Sequence, residues 1–112
     1  MNDLSWKEFE RIELRVGTIL SAEIFKEART PAIKLSIDFG DDIGIRKSSA
    51  QITDHYLPEE LIGKQISAVV NFPKKQIGPM ISECLVTGFI QDDGSVILAV
   101  PDKVSKNGAR LA

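Results

Sequence analysis

The side chains best able to do chemistry in this chain are basic residues concentrated in a few short stretches. Half of the 14 lysines and arginines are involved, namely Lys26, Arg29, Lys34, Arg46, Lys47, Lys74 and Lys75. Such groups bind phosphate oxygens, and phosphate contacts supply most of the non-specific affinity of proteins for nucleic acid. The net charge of −2 and nearby acidic residues weaken that field. Two interpretations therefore stay open: a nucleic-acid groove, or ordinary solvated loops.

Uncharged polar residues near the same stretches could add hydrogen bonds to a ligand, namely Ser49, Gln51, Asn71 and Ser82. Aromatic residues are scarce, at 6% of the chain, and Phe72 is one of the few nearby. Sites for single-stranded nucleic acid normally stack bases on aromatic rings. The pattern therefore favours recognition of RNA shape and phosphates, or of an extended peptide, over base stacking.

Patterns typical of catalysis or metal binding are weak. His55 is the only histidine, so an enzyme would have to use it as its base. One histidine and one cysteine do not supply a zinc ligand set. Cys84 lies within an apolar stretch, which favours a buried, unreactive thiol. We therefore predict a binding protein that is not an enzyme and has neither a cofactor nor a metal.

Alternating apolar residues predict the strands that must position these side chains. On the second strand this alternation directs Phe39 inward, and Gly17 on the first strand suggests a bulge or bend. The predicted strands are Leu14 to Ile24, Ile33 to Phe39, Ile43 to Ala50, Lys64 to Phe72, Met80 to Ile90 and Ser95 to Val100.

Two short helices complete the prediction. Ser5 and Glu8 have the spacing of a capping box, which begins a helix of about two turns ending near Arg11. Pro58 and Gly63 bracket a second, one-turn helix. Three strands, a short helical connection and then two or more strands follow one another along the chain. That order predicts an all-β domain over residues 1–112, namely a five-stranded OB-fold barrel with a short N-terminal helix and a short helical connection between strands 3 and 4.

In an OB barrel the ligand groove crosses strands 2 and 3, between the loops that join strands 1–2 and 4–5. Here those loops are Phe25 to Pro31 and Pro73 to Pro79. Pattern alone leaves other small barrels open. No signal peptide and no apolar run of about 20 residues is visible, so we expect a cytoplasmic protein without membrane insertion.

The chain resembles the tRNA-binding domain family, which includes the C-terminal domains of many bacterial methionyl-tRNA synthetases and the EMAP II-like domains. The resemblance covers the chain from Trp6 to Leu111, and Glu13-Leu14-Arg15-Val16-Gly17-Thr18-Ile19 is similar to the opening strand of the family. It passes through Pro58-Glu59-Glu60-Leu61, Val69-Val70-Asn71-Phe72 and the Ser82-Glu83 pair. Within the family it is most similar to the stand-alone CsaA group, on Ser48-Ser49-Ala50-Gln51-Ile52-Thr53 and Cys84-Leu85-Val86-Thr87-Gly88-Phe89.

The chain departs from the synthetase type in the loop after strand 4. It lacks the loop arginine and the glycine that follows the Ser-Glu pair, and has Lys75-Gln76-Ile77-Gly78-Pro79-Met80 in that region. The resemblance implies binding of tRNA or other structured RNA. It also implies an alternative, an export-related chaperone that binds unfolded precursor proteins and the SecA translocase.

The resemblance further implies a homodimer. The sequence agrees at the two ends of the chain, where apolar residues lie outside the predicted barrel: Trp6, Phe9, Val104 and Leu111. A two-fold contact would bury them. The alternative is that they cover the ends of their own barrel.

Overall fold

The computed structural model describes all residues 1–112 and is built mainly from short strands. In chain order the elements are α1 (Trp6–Glu10), β1 (Leu14–Ile24), β2 (Ile33–Asp38), β3 (Ile45–Ala50), α2 (Pro58–Leu61), β4 (Gln65–Val69), β5 (Lys75–Ile77), β6 (Met80–Ser82), β7 (Leu85–Val86), β8 (Gly88–Ile90) and β9 (Val96–Leu98). The all-β class and both predicted helices are confirmed. No helix is long and apolar enough to cross a membrane.

Five antiparallel strands form the main sheet, in the order β3-β2-β1-β4-β7, and β5–β6 and β8–β9 are separate hairpins. The sheet curls so that β3 meets the segment before β7. There Glu83 N–H donates to the Lys47 carbonyl at 2.8 Å, and the Ser48 hydroxyl donates to the Cys84 carbonyl at 2.9 Å. These contacts give the nearly closed five-stranded barrel that the sequence predicts.

The barrel core is densest along β2, where the alternation is strict. Ile33, Leu35 and Ile37 are buried, while the residues between them remain partly exposed. Phe39 continues the inward row, as predicted, and is fully buried. Each such side chain contributes roughly 1.5–3 kcal/mol by leaving water. The same alternation leaves Lys34 and Ser36 on the outer face.

The bend in β1 differs from the prediction. The register shift lies between Ile19 and Ser21, so Leu20 is the extra residue of the bulge. Gly17 pairs regularly with Ile66 and serves close packing instead. A Cβ atom at Gly17 would lie 2.6 Å from Ile37 Cγ2 and 2.7 Å from Phe39 Cδ1. Ile19, two positions after the inward-facing Gly17, is buried, whereas Leu20 is exposed.

The C-terminal half is more interrupted than the sequence predicts. The single strand expected from Met80 to Ile90 is divided into β6, β7 and β8. Thr87 lies between β7 and β8. Its N–H donates to the carbonyl of Ser67 on β4, and its carbonyl accepts from the N–H of Ala99, just after β9. The expected loop from Pro73 to Pro79 contains β5, which forms a hairpin with β6 around Gly78 at φ +56°.

The N-terminal capping box is confirmed. The Ser5 hydroxyl accepts from Glu8 N–H at 3.1 Å, and the Glu8 carboxylate accepts from Ser5 N–H at 3.0 Å. Asn71 attaches the following segment to the barrel, because its amide donates to the Arg11 carbonyl and accepts from Glu13 N–H. The short helix is therefore held by side-chain contacts at both ends.

Candidate nucleic-acid interface

A cleft of about 790 Å³ crosses β1, β2 and β3 on the side covered by the β5–β6 hairpin. Its floor comes from the outward-facing residues of β1 and β2, and the hairpin supplies one apolar wall. The lining residues are Ser21, Glu23, Glu27, Lys34, Leu35, Ser36, Lys47, Lys74, Pro79, Met80, Ile81 and Glu83. This is the groove position expected for an OB barrel.

The two loops predicted to flank the groove meet at one end of it. The backbone of Gly78, at the tip of the β5–β6 hairpin, lies against the β1–β2 loop. A Cβ atom placed there would be 3.7 Å from the Glu27 carbonyl oxygen and 3.8 Å from Phe25 Cζ. The hairpin therefore reaches from β3 to the opposite loop and borders the cleft along its length.

Three of the predicted basic residues line the cleft: Lys34, Lys47 and Lys74. Lys34 Nζ lies 3.0 Å from Glu23 Oε1 and 5.4 Å from the centre of the Phe25 ring. Lys74 Nζ lies 3.8 Å from Glu83 Oε2. The structure therefore brings basic groups from three segments to one surface, two of them with acidic partners.

Lys26, Arg29 and Lys75 are exposed on the two flanking segments and form no ion pair. Phe72 is also exposed, just after β4. None of these four residues lines the cleft, although Lys26 and Lys75 adjoin the lining residues Glu27 and Lys74 in sequence.

Arg46 has a different place. It is half-buried, and its Nη1 donates to the Val70 carbonyl at 3.0 Å and to the Glu83 carbonyl at 3.4 Å. The guanidinium thereby ties β3 to the chain on both sides of the β5–β6 hairpin. Asn71 is likewise engaged within the chain by its contacts to the N-terminal segment.

The remaining predicted polar residues lie near the cleft. Ser49 is half-buried on β3, opposite Lys34 on β2, and Gln51 is exposed just beyond the strand. The Ser82 hydroxyl donates to the Cys84 carbonyl at 3.3 Å. Ser49 and Gln51 therefore have no side-chain hydrogen bond within the chain, whereas Ser82 has one.

Glu83 is the residue that sequence reasoning missed. Its Oε1 accepts from Lys47 N–H at 3.0 Å, its Oε2 faces Lys74, and its own N–H donates to the Lys47 carbonyl. It therefore satisfies backbone groups of Lys47 at the edge of β3 and forms an ion pair with the Lys74 side chain. The resemblance marked the Ser82-Glu83 pair, but Lys47 is 36 positions away in sequence and Lys74 lies across the β5–β6 hairpin, so only the fold reveals these partners.

His55 does not have the arrangement of a general base. Its Nε2 lies 2.7 Å from Ser95 Oγ, and the Ser95 hydroxyl donates to Asp93 Oδ1 at 2.6 Å. Because that serine proton points to Asp93, the His55 nitrogen is the donor in its contact with Ser95. The hydrogen bond from the Ser95 hydroxyl lowers the pKa of the Asp93 carboxyl. The group joins the β8–β9 turn to the connection before α2.

The Cys84 thiol is buried, and this burial raises its pKa to about 11. At neutral pH the thiol is therefore protonated. A protonated thiol is a poor nucleophile and a poor metal ligand. The contacts of Cys84 are structural, since its carbonyl accepts from Ser48 and Ser82.

The apolar residues at the chain ends lie on the surface. Trp6 is 80% exposed and Val104 is 97% exposed, while Phe9 packs edge-on against Trp6 at 6.5 Å between ring centres. Leu111 is also exposed. The β8–β9 hairpin adds Phe89, Ile90 and Ile97, which sequence reasoning did not assign to a surface.

Comparisons with known proteins agree with this architecture. Residues 14–110 match the family model described as a putative tRNA binding domain. The chain is 32% identical over 99 residues to the methionine–tRNA ligase of Porphyromonas gingivalis, covering 88% of this chain and 14% of that protein. It is 30% identical over 111 residues to the Methanocaldococcus jannaschii enzyme, covering 99% of this chain and 17% of that protein. The chain thus spans roughly one-sixth of these relatives, and only their binding domain aligns.

Solved structures match over the whole chain. The chaperone CsaA of Bacillus anthracis has 48% identity and a TM-score of 0.93, covering 99% of this chain and all of that one. The CsaA chaperone protein of Picrophilus torridus has 51% identity and a TM-score of 0.91, covering 98% and 100% of the two chains. The methionyl-tRNA synthetase-related protein of Pyrococcus horikoshii has 31% identity and a TM-score of 0.87, covering both chains fully. Together these findings show that the chain belongs to the putative tRNA-binding domain family and resembles its CsaA members.

Proposed function

We propose that this chain binds tRNA or other structured RNA in the cleft between the β5–β6 hairpin and β1–β3, without catalysing a reaction. The observation that carries the proposal is the convergence of Lys34, Lys47 and Lys74 on that cleft in a chain of the tRNA-binding domain family. The residues come from β2, β3 and the segment before β5, so the sites for phosphates are set by the barrel and not by one flexible loop.

The surroundings suit a large, folded ligand. Lys26, Arg29 and Lys75 extend the basic surface onto the two loops, and Ser49 and Gln51 offer hydrogen bonds beside it. No row of exposed aromatic rings lies along the outer face of β2 or β3. The expected recognition is therefore of the RNA backbone and shape, since base stacking needs such rings.

The test is binding of bulk tRNA across a series of salt concentrations. Lys34→Gln combined with Lys74→Gln should weaken binding and reduce the slope of log affinity against log salt by about one unit per lost contact. Lys103→Gln is the matched control for each of the two single substitutions, since it also removes one positive charge and Lys103 is exposed in the C-terminal segment and forms no ion pair. Binding that is insensitive to salt and to the double substitution would contradict the proposal.

A second candidate function is favoured by the similarity to two CsaA chaperones and by the apolar hairpin wall of Pro79, Met80 and Ile81. We infer that the same cleft could accept extended segments of unfolded precursor proteins and that the SecA translocase could be a partner. The chain should then suppress aggregation of an unfolded client and bind immobilised SecA, and Met80→Asp should reduce the suppression. Failure of wild-type chain in both assays would eliminate this function.

The proposal includes a homodimer in the cytoplasm, where tRNA and unexported precursors are both found. Its interface would bury Trp6, Phe9, Val104 and Leu111 from extensions at both ends of a single domain. An isologous dimer would display two clefts, and two linked sites raise the avidity for a long ligand.

A further inference from the structure

The cleft contains as many acidic as basic side chains. Three lysines line it, and so do three glutamates, Glu23, Glu27 and Glu83. A surface that gains affinity from phosphate contacts normally has an excess of positive charge. The ion pairs inside this cleft therefore bear directly on how strongly it holds a polyanion.

The antiparallel register of the sheet brings the two residues of the first ion pair together. Glu23 on β1 lies directly opposite Lys34 on β2 in the antiparallel register, and the two side chains meet at 3.0 Å. Directly paired residues have Cβ atoms about 5 Å apart, so the carboxylate is always within reach of the ammonium group. The ring of Phe25, 5.4 Å from Lys34 Nζ, also restrains that side chain.

The second ion pair, between Glu83 and Lys74, depends on the closure of the barrel. Glu83 Oε1 is held by Lys47 N–H at 3.0 Å, which leaves Oε2 facing Lys74 at 3.8 Å. Glu83 is mostly shielded, whereas Lys74 is mostly exposed. The carboxylate therefore stays in place while the lysine moves, and any phosphate that binds Lys74 has to approach that carboxylate.

A ligand phosphate that binds Lys34 or Lys74 displaces the glutamate carboxylate from that lysine. The phosphate then lies close to the displaced carboxylate. The freed carboxylate repels the phosphate and takes up a cation from solution. That uptake offsets part of the counterion release that drives nucleic-acid binding. Both effects lower the affinity and flatten its dependence on salt.

We propose that Glu23 and Glu83 are internal competitors that hold Lys34 and Lys74 against ligand phosphates and so limit the affinity of the cleft for RNA. The inference rests on the proposed RNA-binding function and concerns its strength and selectivity. A ligand with few phosphates gains too little to displace both carboxylates, whereas a folded RNA contacts several basic groups at once. The two glutamates are therefore specificity-determining residues of the cleft.

The experiment compares single charge-neutralising variants for binding to bulk tRNA over a salt series. Glu23→Gln and Glu83→Gln should each bind about two- to five-fold more tightly, the range expected from the strength of an exposed ion pair. Each should also steepen the salt slope by up to about one unit. Glutamine at position 83 keeps an oxygen for Lys47 N–H, and matching thermal unfolding curves would show that the barrel is intact.

Two control variants change the net charge equally. Glu27→Gln neutralises a residue that lines the same cleft but forms no ion pair. Glu59→Gln neutralises an exposed residue of α2. Both should have clearly smaller effects than Glu23→Gln. Equal effects of all four variants would overturn the proposal, because a general change of charge would then explain the result.

The outcomes separate this inference from the proposed function. If wild-type chain binds tRNA and the Glu23 and Glu83 variants bind no better than the controls, the competitor role fails and RNA binding stands. If wild-type chain does not bind but the Glu23→Gln/Glu83→Gln double variant does, the competitor role is supported and RNA binding by the unmodified chain fails. If neither binds, both are wrong.

Discussion

At the residue scale, adjacent basic side chains on β3 lie in different surroundings. Arg46 turns its guanidinium to the carbonyls of Val70 and Glu83, whereas the next residue, Lys47, is exposed and lines the cleft. Both are basic and both fit a phosphate-binding pattern in sequence. The structure separates them because successive residues of a strand face opposite sides.

This difference predicts opposite results for two alanine variants. Arg46→Ala leaves two carbonyl groups without a partner, so the free energy of unfolding should fall by about 1–3 kcal/mol. Lys47→Ala should change stability by less than about 0.5 kcal/mol, as is usual for exposed positions, and should weaken tRNA binding. Urea unfolding and tRNA titration of both variants check this, and the reverse pattern would assign Arg46 to the ligand.

The Asp93 carboxylate should contribute a pH-dependent part of the stability. Its pKa is lowered in the folded chain, first by the hydrogen bond from the Ser95 hydroxyl and then by the Ser95 N–H. A carboxyl with a lowered folded pKa stabilises the fold above its unfolded pKa, and that contribution is lost as the pH falls through the folded value. Urea unfolding from pH 7 to pH 3 should therefore show a smaller acid loss for Asp93→Asn than for wild-type chain. An identical acid loss in the two proteins would contradict this.

At the element scale, β1 holds the barrel together because it pairs with β4 through its first half and with β2 through most of its length. The change of partner requires a bend, which the bulge at Leu20 supplies. In the regularly paired part of β1, close packing against Ile37 and Phe39 requires a residue without a side chain at position 17. The floor of the cleft, including Glu23, depends on this geometry.

Gly17→Ala should therefore destabilise the barrel. The new methyl group would lie within 2.8 Å of Ile37 and Phe39, both fully buried. Overpacking of this kind typically costs about 1–3 kcal/mol. Ser21→Ala, on the same strand but exposed, should stay within about 0.5 kcal/mol of wild-type chain. Equal unfolding free energies for the two variants would show that the core near Gly17 relaxes freely.

At the scale of the whole molecule, the chain exposes many large apolar side chains for its size. They include Trp6 and Val104 at the chain ends and Phe89 and Ile90 on the β8–β9 hairpin, with Ile90 79% exposed. Where such side chains form one contiguous patch, they are typical of an interface. A dimer would also explain the presence of a capped helix that has no buried residue of its own.

The expected mass in solution is that of a dimer of the 12.3 kDa chain. Trp6→Ser combined with Val104→Ser should shift the equilibrium towards monomer, as measured by sedimentation velocity at several concentrations. Leu57→Ser, which removes an exposed apolar side chain from the connection before α2, should leave the mass unchanged. A wild-type chain that sediments as a monomer at all concentrations would refute the dimer.

The sequence by itself determined the all-β class and both helices, because strict alternation on β2 and the capping residues are local signals that need no distant partner. The five-stranded barrel was predicted from the order of elements together with the family resemblance, since pattern alone left other small barrels open. It also identified the stretches that carry basic residues. The bulge at Leu20, the division of the last predicted strand, and the partners of Arg46, Asn71 and Glu83 depended on the tertiary structure. Each of these depends on contacts between residues far apart in the chain, and a hydrogen bond or ion pair of that kind leaves no periodic trace in sequence. For that reason the equal number of acidic and basic side chains in the cleft could be recognised only from the tertiary structure, which places the strands side by side.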